Sequence, residues 1–275
     1  MSNKVVIIVL DALRFDVACT HLGFMQHLVE QEKAARYKVK GELPALSRPM
    51  YETICTGTPA IEHGIVHNHI VRMSKEESIF HLAKAAQKKT AAVAYYWVSE
   101  LYQKAPFEHF TDRIQLNSDG VIQNGSYYFE DHYPDSHVFA DAHYLTKQYS
   151  PDLLYIHPMN IDDDGHKFTA DSPQYRNRVL ATDGLLALSI PSWLEQGYQI
   201  IVTADHGMTA DGNHGGNTAA DREVPLFIIS PKVQPGIYEE VVSQLQIAPL
   251  ICELLEIEKS PKMQNLHLKG VREAG

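Results

Sequence analysis

The chain has 275 residues, 44% of them hydrophobic and 21% charged, with a formal net charge of −10. That balance argues against a basic nucleic-acid-binding surface, and no apolar run approaches the length of a membrane span. Cys19, Cys55 and Cys252 are too few and too scattered for a disulfide framework or a thiolate zinc site, which fits a reducing compartment.

No cleavable signal peptide is visible ahead of the strand-like residues from Lys4, so a cytoplasmic location is expected. Neither a membrane nor a nucleic acid is expected as a partner, and the sequence sets no oligomeric state. The 15 histidines are many for this length, so each is weighed only by its spacing and neighbours.

Lys4 to Leu10 is a continuous apolar run after its first residue, which predicts a buried central strand of a parallel sheet. Asp11 ends it. In open parallel sheets, sites form outside the carboxyl ends of the strands, so Asp11 is placed for ligation, or equally for a plain helix N-cap. Residues 22–37 read as helical. Pro49 suits a first helical turn that Met50 to Cys55 continue, which puts Ser47 at or just before a helix N-terminus. Such an end favours a phosphate or sulfate, although an N-cap serine with no chemistry is the plainer reading.

His63, His67 and His69 follow in a Gly- and Pro-punctuated loop, and better ligand candidates lie elsewhere. Residues 76–88 predict a helix and Thr90 to Trp97 a strand. Trp97 at its aromatic end is either a wall for substrate or a core edge. Residues 106–134 are polar and aromatic and suggest a small insertion or lid. Asp135 or Ser136 caps a helix to about Gln148. The strand Leu153 to His157 leads into a loop, Asp162-Asp163-Asp164-Gly165-His166, which lacks the distal glutamate of a calcium loop. Residues 173–195 predict an amphipathic helix. The strand Ile200 to Thr203 runs into Asp205-His206-Gly207, with His214-Gly215 after it. Val224 to Ile229 is another strand, and Ile247 to Leu255 a final helix. Strands and helices alternate throughout, which predicts one doubly wound α/β domain over 1–275, with a mainly parallel sheet and helices on both faces.

Three predicted strand ends thus carry acids and imidazoles: Asp11, then Asp162 with His166, then Asp205 with His206 and His214. Asp and neutral His are ligands for divalent transition metals. With Ser47 between the first two, the chain resembles the alkaline phosphatase superfamily, and within it the type I phosphodiesterase/nucleotide pyrophosphatase branch. The likeness also takes in Thr56-Gly57, His63-Gly64-Ile65, Tyr96-Trp97 and Ile247-Ala248-Pro249, and spans nearly the whole chain.

The resemblance implies an alkaline phosphatase-like fold and two divalent metals, zinc with manganese as the alternative. Asp162, His166 and His214 would hold one ion. Asp11, Asp205 and His206 would hold the other, with Ser47 at its open position. Ser47 would attack the phosphorus of a small-molecule phosphate ester, and water would hydrolyse the phosphoserine.

Two departures from the branch bear on substrate. The branch places a phosphate-holding asparagine three residues after the nucleophile, where this chain has Met50, and a thioether donates no hydrogen bond. Either Arg48, a backbone N–H or another side chain would then take that role, or the substrate differs. The loop from His206 to His214 is also short. A compact phosphodiesterase or nucleotide pyrophosphatase-like enzyme is the expectation. A phosphomonoesterase, phosphonate monoester hydrolase or sulfatase of the same superfamily is the alternative. A sulfatase would need an arginine where Tyr51 stands. The non-enzyme reading is a metal-binding α/β protein that has lost catalysis.

Overall fold

The computed structural model describes residues 3–272, so the two ends of the expected 1–275 domain lie outside the described residues. The strands are β1 (Lys4–Val9), β2 (Ala35–Lys40), β3 (Thr90–Tyr95), β4 (Ile114–Gln115), β5 (Asn124–Tyr128), β6 (Leu153–Ile156), β7 (Tyr198–Thr203), β8 (Glu223–Ile229) and β9 (Gly236–Ser243). The helices are α1 (Phe15–His21), α2 (Gly23–Glu30), α3 (Ser47–Thr56), α4 (Ala60–His63), α5 (Ile79–Ala85), α6 (Trp97–Tyr102), α7 (Asp135–Tyr149), α8 (Asn160–Phe168), α9 (Pro173–Glu195), α10 (Ala219–Arg222) and α11 (Ile247–Leu255).

Among the described residues the strands form one sheet in the order β4-β5-β3-β6-β1-β7-β8-β2-β9. The central five, β5, β3, β6, β1 and β7, are parallel. Val5 to Leu10 have no exposed surface, as expected of a strand covered on both sides. Helices α1, α2, α7 and α9 cover one face, and α3, α5 and α11 the other. This is the doubly wound, mainly parallel architecture expected from the alternation of elements. All five central strands end at the same edge of the sheet, so Asp11, the start of α8 and Asp205 emerge side by side.

The differences from the sequence reading have simple causes. Residues 22–37 are not one helix: α2 stops at Glu30 and β2 begins at Ala35. Ala35-Arg36-Tyr37-Lys38-Val39-Lys40 alternates buried and partly exposed positions, the period of two that marks a strand. β2 is antiparallel to β8, which is antiparallel to β7, so β2 runs with the central strands and its end delivers the chain to Ser47 at that same edge. Trp97 is not a strand residue but opens α6. Asp162 to His166 is not a loop but lies within α8, where residues four apart share a face. Within 106–134, β5 pairs with β3 and β4 with β5, extending the sheet.

Beneath Ser47, α3 carries a fully buried acid. Glu52 Oε2 accepts the Tyr102 hydroxyl at 2.7 Å, and Oε1 accepts Ser74 Oγ. Burial pushes its carboxyl up to about 7 despite these two donors. The folded chain therefore holds this proton more tightly than the unfolded chain. Its contribution is complete below the ordinary value of 4.5 and is lost as pH rises through about 7. Glu52→Gln should accordingly gain stability over the parent between about pH 5 and about pH 8, read from urea midpoints. A difference that stays constant across that window would contradict the assignment.

Candidate active site and metal centre

The site is built from residues that the sheet brings to one edge. Asp11 and Asp205 follow β1 and β7, and both are fully buried. Asp162 and His166 lie one turn apart on α8. Ser47 is the first residue of α3 and 4% exposed. His206 and His214 flank a short loop whose first turn is fixed by Gly207. A Cβ there would sit 2.0 Å from the Ala220 carbonyl oxygen, so only glycine fits.

The protons on the three imidazoles are set by backbone. His166 Nδ1 lies 2.8 Å from the Gly212 carbonyl, His206 Nδ1 2.9 Å from that of Gly207, and His214 Nδ1 2.9 Å from that of Ala45. A carbonyl oxygen only accepts, so each neutral ring carries its proton on Nδ1 and leaves Nε2 as a bare lone pair. His166 Nε2 and His214 Nε2 nevertheless face each other at 3.2 Å. His206 Nε2 lies 3.0 Å from Ser47 Oγ, 3.4 Å from Asp11 Oδ1 and 3.3 Å from Asp205 Oδ2. Asp162 Oδ1 lies 3.4 Å from His166 Nε2 and 3.6 Å from His214 Nε2.

The same three carboxylate oxygens, Asp11 Oδ1, Asp162 Oδ1 and Asp205 Oδ2, are buried without a hydrogen-bond donor. Lone pairs converge here, and among them only His206 Nε2 has a proton donor within reach, the Ser47 hydroxyl. Neighbouring ligand atoms of a tetrahedral zinc are about 3.3 Å apart, given bonds of about 2.0–2.1 Å. The observed separations straddle that value, and the donor set is carboxylate and imidazole, so the residues fit divalent metal ions.

The clusters of donor atoms are Asp162–His166–His214, Asp11–Asp162–His206 and Asp11–His157–Asp205. The first is the trio expected for one ion. The expected trio Asp11, Asp205 and His206 is spread over the other two, and Asp162 also reaches toward Asp11 and His206. The boundary between the two sites is thus less sharp than the sequence reading drew it.

Burial, and then the charge of Asp11, raises the carboxyl of Asp205 and of Asp162 well above the usual range. Burial raises Asp11 too, but the His157 hydrogen bond and the charge of His206 outweigh it and hold Asp11 below its ordinary value. Burial, and then His206, pushes His214 down to about 3, and burial lowers His206. Three acids cannot all ionise in this space unless cations balance them.

Three residues outside the expected set belong to the arrangement. Asp11 Oδ2 accepts the Tyr51 hydroxyl at 2.6 Å and His157 Nε2 at 3.0 Å. The Tyr128 hydroxyl donates to the His157 carbonyl at 2.7 Å and reaches His157 Nδ1 at 3.3 Å, which favours the proton on Nε2. Two donors on Oδ2 turn Oδ1 toward His206. Asn68 is the third: its Oδ1 accepts the Arg48 N–H at 3.0 Å, beside Ser47. Pro49 lacks an N–H, and Met50 N donates to the Leu46 carbonyl, so the start of α3 offers few free donors.

The remaining sequence candidates are placed as follows. Arg48 is buried and pairs with Glu100 Oε2 at 2.6 Å, with its guanidinium 4.7 Å from the centre of the Trp97 ring. Its charge is committed to Glu100 rather than offered to a ligand, and Trp97 packs on it. Met50 is fully buried. His63 is buried against Thr53, and His67 packs on His69, apart from the metal-type clusters found among the described residues.

His157→Ala should weaken metal binding about 10- to 100-fold, as for other residues that orient a ligand, read by chelator competition with cobalt. Tyr51→Phe, which keeps the ring, should weaken it less. Unchanged affinity in both variants would show that Asp11 needs no orienting donors.

The sequence profile of the type I phosphodiesterase / nucleotide pyrophosphatase family matches residues 5–245. Among curated relatives, the human GPI ethanolamine phosphate transferase 2 catalytic subunit is 24% identical over 84% of this chain and 23% of its own length. The Candida albicans GPI ethanolamine phosphate transferase 2 is 24% identical over 92% of this chain and 30% of its own length. The chain therefore spans about a quarter to a third of these relatives. Murine ectonucleotide pyrophosphatase / phosphodiesterase 5 superposes with a TM-score of 0.75 at 14% identity, covering 94% of this chain and 96% of that one. A phosphonate monoester hydrolase from Silicibacter pomeroyi gives 0.66 at 14% identity, covering 97% and 76%. The chain belongs to the type I phosphodiesterase / nucleotide pyrophosphatase family and has an alkaline phosphatase-like fold.

Proposed function

We propose that this chain is a two-metal phosphoester hydrolase with Ser47 as nucleophile and a small-molecule phosphate ester as substrate. The observation that carries the reading is the convergence of three imidazole lone pairs and three donorless carboxylate oxygens beside the Ser47 hydroxyl. Asp162, His166 and His214 would hold one ion, and Asp11, Asp205 and His206 the other, next to Ser47. Bound zinc or manganese would supply Lewis acidity to the attacking and leaving oxygens.

The protein's own groups define the rest. Ser47 Oγ gives up its proton and forms the new bond to phosphorus, while the ester P–O bond breaks and its oxygen departs with the bonding pair and takes up a proton as the alcohol. Water then displaces the serine oxygen and frees the phosphate product. The first position of α3 points the Ser47 hydroxyl at His206 Nε2, 3.0 Å away. Asn68, whose side chain is held beside Ser47 by the Arg48 N–H, is a donor available for the role that Met50 cannot fill. Its oxygen is engaged by the Arg48 N–H, which leaves its amide nitrogen to donate to a phosphoryl oxygen. A sulfatase is disfavoured, because the hydroxyl of Tyr51, at the position that would need an arginine, is spent on Asp11.

A second reading shares the first displacement and differs in the acceptor. The matched relatives are ethanolamine phosphate transferases. Here an alcohol would take the group from Ser47 in place of water, with a phosphoethanolamine diester as donor.

Ser47→Ala should abolish turnover of bis-p-nitrophenyl phosphate while both metals stay bound by elemental analysis. Wild-type turnover in that variant would remove Ser47 as nucleophile. A parent chain that binds neither zinc nor manganese would remove the two-metal reading. One that binds both ions yet turns over no ester would favour a metal-binding protein without catalysis.

Asn68→Ala should lower kcat/KM about 10- to 100-fold on phosphate esters, if the amide is worth a hydrogen bond to a charged oxygen of about 1.5–3 kcal/mol. An unchanged kcat/KM would leave that role to another group. Parallel assays of phosphate monoester, diester, phosphonate and sulfate ester define the class. Adding an alcohol to a phosphoethanolamine diester assay separates transfer from hydrolysis by the product formed.

A further inference from the structure

The longest helix presents an uncovered apolar face on the side away from the sheet. Leu188 is 78% exposed, Leu180 50% and Leu194 38%. Ala181, Gly184 and Pro191 are exposed with them. Between Arg178 and Glu195 the only charged residue is Asp183, and it is buried, accepting the Phe24 N–H at 2.8 Å. A solvated helix face normally carries charge, so an uncharged one marks an interaction surface. A Cβ added to Gly184 would meet nothing within 4 Å, so this glycine is not needed for packing within the chain. Glycine also weakens a helix by about 1 kcal/mol relative to alanine.

We propose that this face of α9 is a homodimer interface, with two copies of the helix packed antiparallel about a two-fold axis between positions 185 and 186. The sequence spacing points to a second copy. Asn177, Leu180, Gly184, Ala187, Pro191 and Leu194 recur at alternating spacings of three and four, the pattern of a helix–helix seam. That pattern reads the same from either end. In an antiparallel pair Leu180 meets the partner's Pro191, and Gly184 meets the partner's Ala187. The smallest residues thus fall where the helices cross, which permits close approach.

The charges at the two ends agree independently. Arg176 stands near the amino end of α9 and Glu195 closes the carboxyl end, each the unfavourable sign for its own helix dipole. Both are exposed, and among the described residues neither forms an ion pair, whereas Arg178 is taken by Asp164. The same two-fold axis brings Arg176 against the partner's Glu195, and places each charge at the favourable end of the other helix.

The seam is about 26 Å long at 1.5 Å per residue. Phe168, 44% exposed beside Asn177, Arg178 and Ala181, widens it. A single-helix seam of this length makes a small interface, so the dimer is expected to be reversible and concentration-dependent.

Sedimentation of the full chain from about 1 to about 200 µM tests this. A concentration-dependent dimer is expected. Gly184→Leu, which should raise helix propensity and meets open space, should abolish it by blocking close approach. Leu188→Glu, one turn after Gly184, should abolish it by placing charge on the apolar flank of the seam. Gly184→Leu should melt no lower than the parent, Leu188→Glu should keep the parental melting temperature, and both should retain turnover. Arg176→Glu alone and Glu195→Arg alone should each weaken dimerisation several-fold, and the double exchange should restore it.

A chain that stays monomeric throughout would overturn the proposal and hand this face to a different occupant. So would a dimer indifferent to Gly184→Leu and Leu188→Glu. Failure of the double exchange to restore affinity would overturn the antiparallel pairing.

Discussion

The structure turns on an electrostatic conflict. Three carboxylates stand together at the end of a sheet, each at least nine-tenths buried, and each has one oxygen that no donor reaches. Water cannot solvate them, and His166, His206 and His214 beside them point lone pairs rather than protons. Apolar packing alone would never select such a cluster, since unpaired buried charge is strongly unfavourable. The fold holds it because the penalty is offset elsewhere, by an extensive core around β1 and by backbone groups that lock each side chain. Asp205 Oδ1, for example, accepts the N–H groups of Ala12 and His206 at 3.1 and 2.9 Å. A divalent cation resolves the conflict directly. That is why the chemistry can be argued from the donor atoms and their separations.

Much of this was legible in the sequence because the relevant strands are buried on both faces. Continuous apolar runs announce such strands, and an acid at the end of one is conspicuous. Asp11, Asp205 and His206 were found in that way. β2 and β9 were harder. They lie at the sheet margin, where one face is solvated and charged residues alternate with apolar ones, and the run at Ala35 to Lys40 follows a helix closely enough to be absorbed into it. α8 was missed because three consecutive acids and a glycine suggest a turn, whereas in the fold Gly165 is the point of close contact with Met208. His157, Tyr51 and Asn68 carry no spacing signal at all. Each acts across the fold, on a partner 146, 40 and 20 residues away respectively.

Arg48 shows how position in sequence can mislead about role. A cation next to the nucleophile invites a phosphate-binding assignment. Here its guanidinium is enclosed by Glu100, the Ile70 carbonyl and Trp97. Glu100 also accepts the Phe107 N–H at 2.9 Å, so the ion pair joins α3, α6 and the segment leading to the sheet edge. A buried pair of this kind fixes where elements sit more than it adds to stability. Removing either partner would strand the other charge in the core. The balance of negative charge near Ser47 is therefore left for bound cations, and for polar donors such as Asn68, to meet.

The decisive coupling lies within one turn of α3. Ser47 is its first residue and Tyr51 stands four positions on, so both project from the same side of the helix. The Tyr51 hydroxyl reaches Asp11 Oδ2, and Ser47 Oγ reaches His206. A rotation of α3 by a single residue, about 100°, would withdraw both at once. The contact that orients Asp11 thus also sets the angular position of Ser47. His157 completes the constraint from the opposite side, since it comes from the end of β6 and edges against the Tyr51 ring with centroids 4.5 Å apart. Serine, carboxylate and helix are then one mechanical unit, and the placement of Ser47 depends on a hydrogen bond made one turn away from it.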